Sequence, residues 1–557
     1  MFVRAKKSGK YQYLQVVHNQ RVEGKVRQQV IGTLGRVDVL EKTGQLDGLI
    51  ASCCRYAKQV AVLDAHRGGK TPPAESLRIG PPVVFERLWR ESGMPKVIQE
   101  LLVQRKYELD VERAIFLTVL HRLFDPGSDR AAEVWRERYR MEGVETLRLH
   151  HLYRTMAWLG EPLPQQEWES AGLSRRCTKD VMEEWLFEER RDLFSTLNVV
   201  FFDTTSIYFE GEGGETLGEY GNSKDHRPDR KQMIVGVVLE ESGRPLCCEL
   251  WPGNTTDVKT LLPVVKRLKG RFHIGSVCVV ADRGTISRHV MDELQHTHEG
   301  TTFILGARMR AVKEVRDEVL SRPGRYQVVH GPRNNHHGEP APLKVKEVRV
   351  GERRYIVCHN EEQAEKDKAD REAIVAALAE RLKRGDKSLV GNKGYRKYLK
   401  TAVGRRFLID EEKVESESRF DGKWVLQTDT EMSAPEVALK YKELWMVEAA
   451  FRSVKSVLNT RPVYHRLDET IRGHVFCSFL ALMLLKDLQT RMEVRGWRLH
   501  WDRLRHDLDA LEEITVRNAG KAFVIRTRTL GDAGKAIQAV GVALGPTIRL
   551  LPDKDSG

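Results

Sequence analysis

The sequence predicts an α/β protein: a mixed sheet with crossover helices, preceded by a basic β-hairpin and a helical region, and interrupted by a β-rich segment. Three observations carry this reading. Two apolar runs, 197–202 and 276–281, have similar make-up and each stops at an aspartate, Asp203 and Asp282. Between 197 and 305 the apolar pattern gives three strands, a helix, a strand, a helix and a strand, the order of a mixed sheet. The composition, 41% hydrophobic and 31% charged over 557 residues, is that of a folded globular chain; it excludes disorder, collagen and a small disulfide scaffold.

The first segment, 1–45, is strongly basic. Arg4, Lys6, Lys7, Lys10, Arg21, Lys25, Arg27 and Arg36 are opposed by Glu23 alone over the first 36 residues. Alternation over 11–17, a turn at 21–24 and a second run at 26–31 predict a β-hairpin. Its cations Lys6, Lys7, Lys10, Arg21, Lys25 and Arg27 suit contact with nucleic acid; a solvated edge hairpin is the alternative.

Residues 46–195 read as helical, with helix-period apolar positions at 84–88, 97–102 and 111–124. Pro126-Gly127 breaks the pattern and Ser128 supplies an N-cap for a helix through Trp135. Two helices across a short turn suit a DNA-binding helix-turn-helix, or any helical bundle. Gly68-Gly69-Lys70-Thr71 is not a phosphate-binding loop: Asp64 stands where a glycine is required and Pro72-Pro73 follow where a helix must start.

Residues 196–310 form the α/β segment. Residues 311–432 change rhythm, with short strands at 326–329, 343–350, 354–358, 407–409 and 424–427 and one charged helix near 362–382. His336 and His337 fall in a polar loop with no nearby ligand partners. In 433–495, Ser433 caps a helix with Pro435 in its first turn and Glu436 beside it, running to about residue 458. A second long helix spans 471–492. Residues 496–557 are a C-terminal region whose tail after Glu513 reads as short strands and a helix.

The excess of cations, 92 Lys and Arg against 79 Asp and Glu, points to a polyanionic partner. The eight cysteines include no Cys-x-x-Cys pair, which argues against a zinc ribbon and fits a reduced, cytoplasmic protein. The longest apolar run, 475–485, is shorter than the ~20 residues of a membrane span, and the N-terminus has no signal-peptide pattern.

Three acids stand out by placement. Asp203 and Asp282 end the two matched strands, where the functional crevice of an α/β sheet opens. Tyr441, Glu448 and Lys455 are spaced by sevens on the helix after Ser433, so they share a face, with Arg452 at i+4 from Glu448. Intrahelical salt bridges are one reading of that stripe; a metal-binding carboxylate among phosphate-binding groups is the other.

Tyr441, Glu448 and Lys455 resemble the Y-x2-R-x3-E-x6-K signature of DDE insertion-sequence transposases, with Leu444 in place of the signature Arg. Asp203 in Phe-Phe-Asp-Thr-Thr-Ser and Asp282 in Val-Val-Ala-Asp-Arg-Gly resemble that family's first and second acids. Residues 253–257 (Gly-Asn-Thr-Thr-Asp) and His226-Arg227-Pro228-Asp229 match as well. The likeness runs from the N-terminal hairpin to the last long helix.

The resemblance implies an RNase H-like fold with Asp203, Asp282 and Glu448 as catalytic and metal-binding residues. Asp282 and Glu448 lie 166 residues apart, which matches members with a β-rich domain inserted between the second and third acids. It implies two Mg²⁺ or Mn²⁺ ions, Asp203 bridging both and Asp282 and Glu448 on one each. It further implies cleavage of a mobile element's ends, joining of the 3′-OH to target DNA, a homodimer on double-stranded DNA and a nucleoid-associated protein. Tyr441, Arg452 and Lys455 become DNA-binding residues, and Trp424 a candidate for stacking a flipped base. A catalytically silent or purely hydrolytic DNA-binding protein of the same fold remains the alternative.

Overall fold

The computed structural model describes residues 2–22, 25–54, 74–103, 105–164, 176–191, 197–285, 287–297, 300–331, 339–384, 397–401, 407–518 and 521–550. The glycine-rich segment at 68–71 and the His336-His337 loop lie outside the described residues. Two compact units are present: residues 1–84, 137–141 and 499–557 in the first, 85–136 and 142–498 in the second.

In the first unit, β1 (Phe2–Ser8), β2 (Tyr11–Val22) and β3 (Lys25–Arg36) form an antiparallel meander. The hairpin read from sequence is β2–β3. β1 escaped that reading because its side chains are mostly cations and small residues, with no apolar stripe. Gly9, at φ 58°, supplies the β1–β2 turn. Helix α1 (Val37–Lys42) packs Leu40 against Gly35, and α2 (Gln45–Cys54) follows. A second sheet has the order β18-β17-β16-β4: β4 (Ala74–Arg78) pairs with β16 (Glu512–Asn518), then β17 (Lys521–Arg526) and β18 (Ile548–Leu550). Arg140 and Arg549 both reach Glu513 in this sheet.

In the second unit the early helices are α3 (Gly80–Glu91, which begins in the first), α4 (Met94–Leu102), α5 (Val111–Phe124), α6 (Asp129–Trp135), α7 (Leu149–Leu159) and α8 (Thr178–Arg190). Ser128 caps α6 as its sequence indicated, accepting from Ala131 N. The helix-turn-helix reading meets a packing constraint: every residue of α5 except Glu112 and Arg113 is buried, which is the environment of a core helix. The long helix α15 (Asp468–Glu493) packs against α5 and α7. Gly473 lets α7 approach it, since a Cβ there would meet Met156 O at 2.0 Å.

The nine-stranded sheet has the order β10-β11-β12-β15-β9-β8-β5-β6-β7. Its centre is β5 (Val199–Tyr208), β6 (Gln232–Glu240), β7 (Pro245–Pro252), β8 (Val277–Ala281) and β9 (Thr301–Gly306). β5, β6 and β7 are an antiparallel meander, while β8 and β9 run parallel to β5 on its other side. Helices α9 (Leu261–Gly270) and α10 (Arg288–Thr297) cover one face, packing Leu261, Val265, Leu268 and Leu294 onto Val200, Phe202 and Val279.

Most strands of the β-rich segment join the central sheet; two short ones, 399–401 and 407–409, pair separately with each other. β10 (Gln327–His330), β11 (Leu343–Val350), β12 (Arg353–His359) and β15 (Lys423–Thr428) extend the central sheet, because β15 pairs with β9. Asp429 fixes this junction by accepting from Phe303 N at 2.7 Å. A separate core of Met309, Val319, Tyr355, Val357 and Phe420 lies beneath these strands. The charged helix is α11 (Glu361–Arg384), and a small β13 (Leu399–Thr401)–β14 (Phe407–Ile409) ladder and α12 (Glu411–Ser418) follow.

The helix after Ser433 is broken. α13 (Ala434–Lys442) and α14 (Trp445–Arg452) are separated by a tightened turn, with Leu444 N donating to Tyr441 O and Val447 N to Leu444 O, three residues back. A π-type turn, Ser453–Val457, continues α14. Apolar periodicity alone reads through such a joint, since buried Leu444 and Val447 sustain the pattern across it.

Candidate active site

Asp203 is not the last residue of its strand; β5 runs on to Tyr208. What ends is its neighbour. The last paired residues of β5 and β8 are Phe202 and Ala281, so Asp203 and Asp282 are the next residue on each strand. Beyond this point β5 pairs with β6 alone, and the gap left by β8 is where the carboxylates stand. α14 packs on β5 and β6 through buried Val447, Ala450 and Phe451, which leaves Glu448 on its exposed side.

All three acids line a cleft of ≈ 1080 Å³ and also a smaller cavity of ≈ 350 Å³. The cleft runs from the acids along Arg308, Arg310 and Lys423 to α11 of the β-rich segment. Trp424 is half-buried and lines it, with Lys442 Nζ 6.0 Å from its ring centre. Trp445, 61% exposed, lines it as well. The sequence reading passed over Trp445, although it lies three residues before Glu448 and so on the same side of the helix. Glu417, at the cleft wall, is penalised by burial but held at about 2 by Lys397, Arg310 and Lys413.

The carboxyl of Asp203 is pushed up to about 6. Burial is the main cause, Asp282 and Asp257 add to it, and Lys224 and the Thr204 N–H oppose it. Asp257 is a fourth acid in the smaller cavity. It accepts from Thr204 Oγ1 at 2.7 Å and lies 3.3 Å from Lys224 Nζ, which also donates to Thr204 O at 2.8 Å.

Tyr441 and Lys455 have different partners from those expected. Tyr441 OH donates to Asp282 Oδ1 at 2.8 Å, so the residue orients the second acid. Gly306 makes room for it: a Cβ there would meet Tyr441 OH at 2.4 Å. Lys455 lines the smaller cavity but is bonded to Asp225 at 2.7 Å, and Arg461 joins the same carboxylate. Arg452 is exposed and lines the smaller cavity.

The N-terminal cations lie in the first unit, so they are described apart from the cleft. Lys6, Lys7, Lys10, Arg21 and Arg27 are exposed; the Lys25 side chain lies outside the described residues. Lys10 sits over the Tyr11 ring.

Among the described residues, the three donors that converge within 4.8 Å are Asp129, His465 and His474, away from the cleft. They do not suit a metal. Arg122 donates to His474 Nδ1 at 2.8 Å, occupying that lone pair and placing a cation beside the group. The cysteines described are free thiols, all buried except Cys53. No described helix is long and apolar enough to cross a membrane.

The transposase DDE domain family matches residues 195–484, just over half the chain, a span in which Asp203, Asp282 and Glu448 fall. The chain belongs to the DDE transposase family. Residues 2–63 of this insertion-sequence transposase match a second family, the IS1634 family transposase N-terminal domain. No curated protein matches the transposase. Among solved structures, a piggyBac transposase synaptic complex with hairpin DNA, determined by cryo-EM, is 9% identical over 77% of this chain and 79% of that one, with a TM-score of 0.34.

Proposed function

We propose that this transposase cleaves the ends of a mobile element and joins the freed 3′-OH to target DNA, with Asp203, Asp282 and Glu448 as its catalytic and metal-binding residues. The observation that carries the reading is the meeting of these three acids, from β5, the end of β8 and α14, in one cleft. That cleft, of ≈ 1080 Å³, is at the top of the about 300–1,000 Å³ range of small-molecule pockets, and its wall mixes carboxylates such as Asp367 and Asp370 with cations such as Arg283 and Arg308 that offer phosphate contacts.

The donor set fits hard divalent cations. All the ligand atoms are carboxylate oxygens, and the Asp203 carboxyl, raised mainly by burial and further by Asp282 and Asp257, is one whose charged form a bound cation would stabilise. Two Mg²⁺ or Mn²⁺ ions bound there would supply activation of the attacking oxygen and stabilisation of the leaving one. The protein's part is to place and orient. Tyr441 fixes Asp282; Thr204, Lys224 and Asp257 brace the strand beside Asp203. Arg452 offers a phosphate contact at the smaller cavity, and Lys455, held by Asp225, must exchange that partner to reach a phosphate. Trp424 and Trp445 provide aromatic surface at the cleft for an unstacked base. The chain acts as a homodimer when it pairs two DNA ends, in the cytoplasm on nucleoid DNA.

The test is a joining assay. Labelled duplexes carrying the ends of the element that encodes the chain are mixed with a target plasmid in Mg²⁺, in Mn²⁺ or with chelator. Metal-dependent nicking and joining are expected. Cutting without joining would replace the proposal by a hydrolase, and binding without cutting by a silent DNA-binding protein.

A further expected result concerns Tyr441. Tyr441→Phe removes only the hydroxyl that orients Asp282, so nicking should fall about 10-fold or more, as for other groups that orient a metal ligand. Higher Mg²⁺ should recover part of the loss. Unchanged nicking across the Mg²⁺ titration would remove Tyr441 from the positioning role.

A further inference from the structure

The pairing register of the N-terminal sheet sorts its side chains into two faces. Phe2–Val17–Val30, Arg4–Gln15–Thr33 and Lys6–Tyr13–Arg36 lie opposite one another across the three strands, and Asn19–Gln28 and Arg21–Val26 continue the same face. Lys7 and Arg27 fall on the other face with Leu14 and Gly35, against which α1 packs Leu40. The cations that the sequence presents as one basic group are thus divided, and four of them, Arg4, Lys6, Arg21 and Arg36, share the face opposite α1.

That face is chemically organised. Arg4 donates to Gln28 Oε1 at 2.6 Å and to Gln15 Oε1 at 3.4 Å, and Gln15 Nε2 donates to Thr33 Oγ1 at 3.2 Å. Arg36 stacks on Tyr11 with its guanidinium 3.6 Å from the ring centre and is held by Asp38. Beside this polar row, Phe2 and Val30 are 41% and 42% exposed.

We propose that this face is a DNA major-groove reader in which Arg4, Gln15 and Gln28 contact base edges while Lys6 and Arg21 contact phosphates. The proposal rests on the transposase reading above and adds where sequence is recognised. The chemistry matches the groove: Arg pairs with guanine O6 and N7, Gln with adenine N6 and N7, and apolar groups meet the thymine methyl. The dimensions match as well. Strands about 4.8 Å apart make a three-stranded ladder roughly 10 Å across, against a groove about 12 Å wide. A mere solubility patch would need cations but not the hydrogen-bonded amide row between them.

The experiment uses the full-length protein with chelator present and a pool of random-sequence duplexes, sequenced after successive rounds of binding. The parent should enrich a defined motif. Gln15→Ala combined with Gln28→Ala should lose preference at the positions read, roughly tenfold or more per position, while affinity for the unselected pool stays within about threefold. Gln20→Ala, paired with Arg27 on the opposite face, should keep the parent's motif. Lys6→Ala should weaken binding to all sequences alike and reduce the log–log salt slope by about 0.9. Matching thermal unfolding curves show that each variant is folded. A Gln15/Gln28 variant that enriches the parent's motif overturns the proposal and leaves the transposase reading intact. A parent that enriches no motif but still cuts and joins element ends overturns the proposal alone; one that neither enriches nor cuts overturns both.

Discussion

Glu448→Gln is expected to abolish nicking and joining in Mg²⁺ while leaving the fold and DNA binding in place. The substitution keeps size and helix propensity and removes only the charge that offsets a divalent ion. Asp203→Asn and Asp282→Asn should do the same, each with a loss on the order of 10³-fold, since the charge they manage develops in the transition state. The Asp203 variant carries a second signature. Its carboxyl sits at about 6 in the folded chain against an ordinary 3.8, so ionising it opposes folding. That penalty begins near pH 4, grows as pH rises, and is complete above pH 6. In metal-free buffer Asp203→Asn should therefore melt a few degrees higher than the parent at pH 7 to 8 and no higher at pH 4. Glu443→Gln is the matched control, because Glu443 pairs with Lys440 at 3.1 Å outside both cavities. Asp429, close to the signature in sequence, is no control: its carboxylate holds β15 to β9. A Glu448→Gln protein that nicks at the parental rate would remove Glu448 from the site.

The largest stability loss is expected at Arg267. Helix α8 buries Lys179, Asp180, Glu183 and Glu184, which no isolated helix tolerates. Arg267 on α9 reconciles them, bonding Glu183 and Glu249 at 2.6 Å each, while Lys179 donates to Cys248 O on β7 and Cys248 N donates to Glu183. Arg267→Met preserves much of the volume but takes the guanidinium from buried Glu183 and Glu249, leaving Lys179, 3.7 Å from Glu183, as the remaining cation of the network. Removing one partner of a buried network costs about 3–5 kcal/mol. Urea denaturation should show that drop, and adding Glu183→Gln and Glu249→Gln to the Arg267→Met protein should recover part of it. A drop below about 1 kcal/mol would mean that the network is hydrated and not stabilising.

Much of this architecture is legible in the sequence because it rests on periodic burial. The strands at 343–350 and 407–409 and the Ser433 start of α13 follow from apolar alternation and capping chemistry that any folded context rewards. The acids were legible because matched apolar runs stop beside them. What escaped depends on pairing between distant segments. β1 has no apolar stripe, so only its partner β2 defines it. The joint at Leu444 is set by how α13 meets β8, β9 and β11 while α14 meets β5 and β6, and helix periodicity carries no trace of that. Lys455 and Tyr441 are spaced like ligand-contacting residues, yet their partners Asp225 and Asp282 come from chain segments more than 150 residues away.

The site's third acid has a consequence in time. Asp203 and Asp282 are already adjacent once β8 is made, but Glu448 follows 166 residues later, after the whole β9-to-β15 excursion. At about 5–20 residues per second of synthesis, a growing chain spends on the order of 10–30 s with both strand acids in place and no helix acid. During that interval, and in any product truncated within it, the N-terminal sheet is complete and the catalytic set is not. Under the proposed roles, such chains would be binders without scissors, occupying DNA ends that full-length copies need.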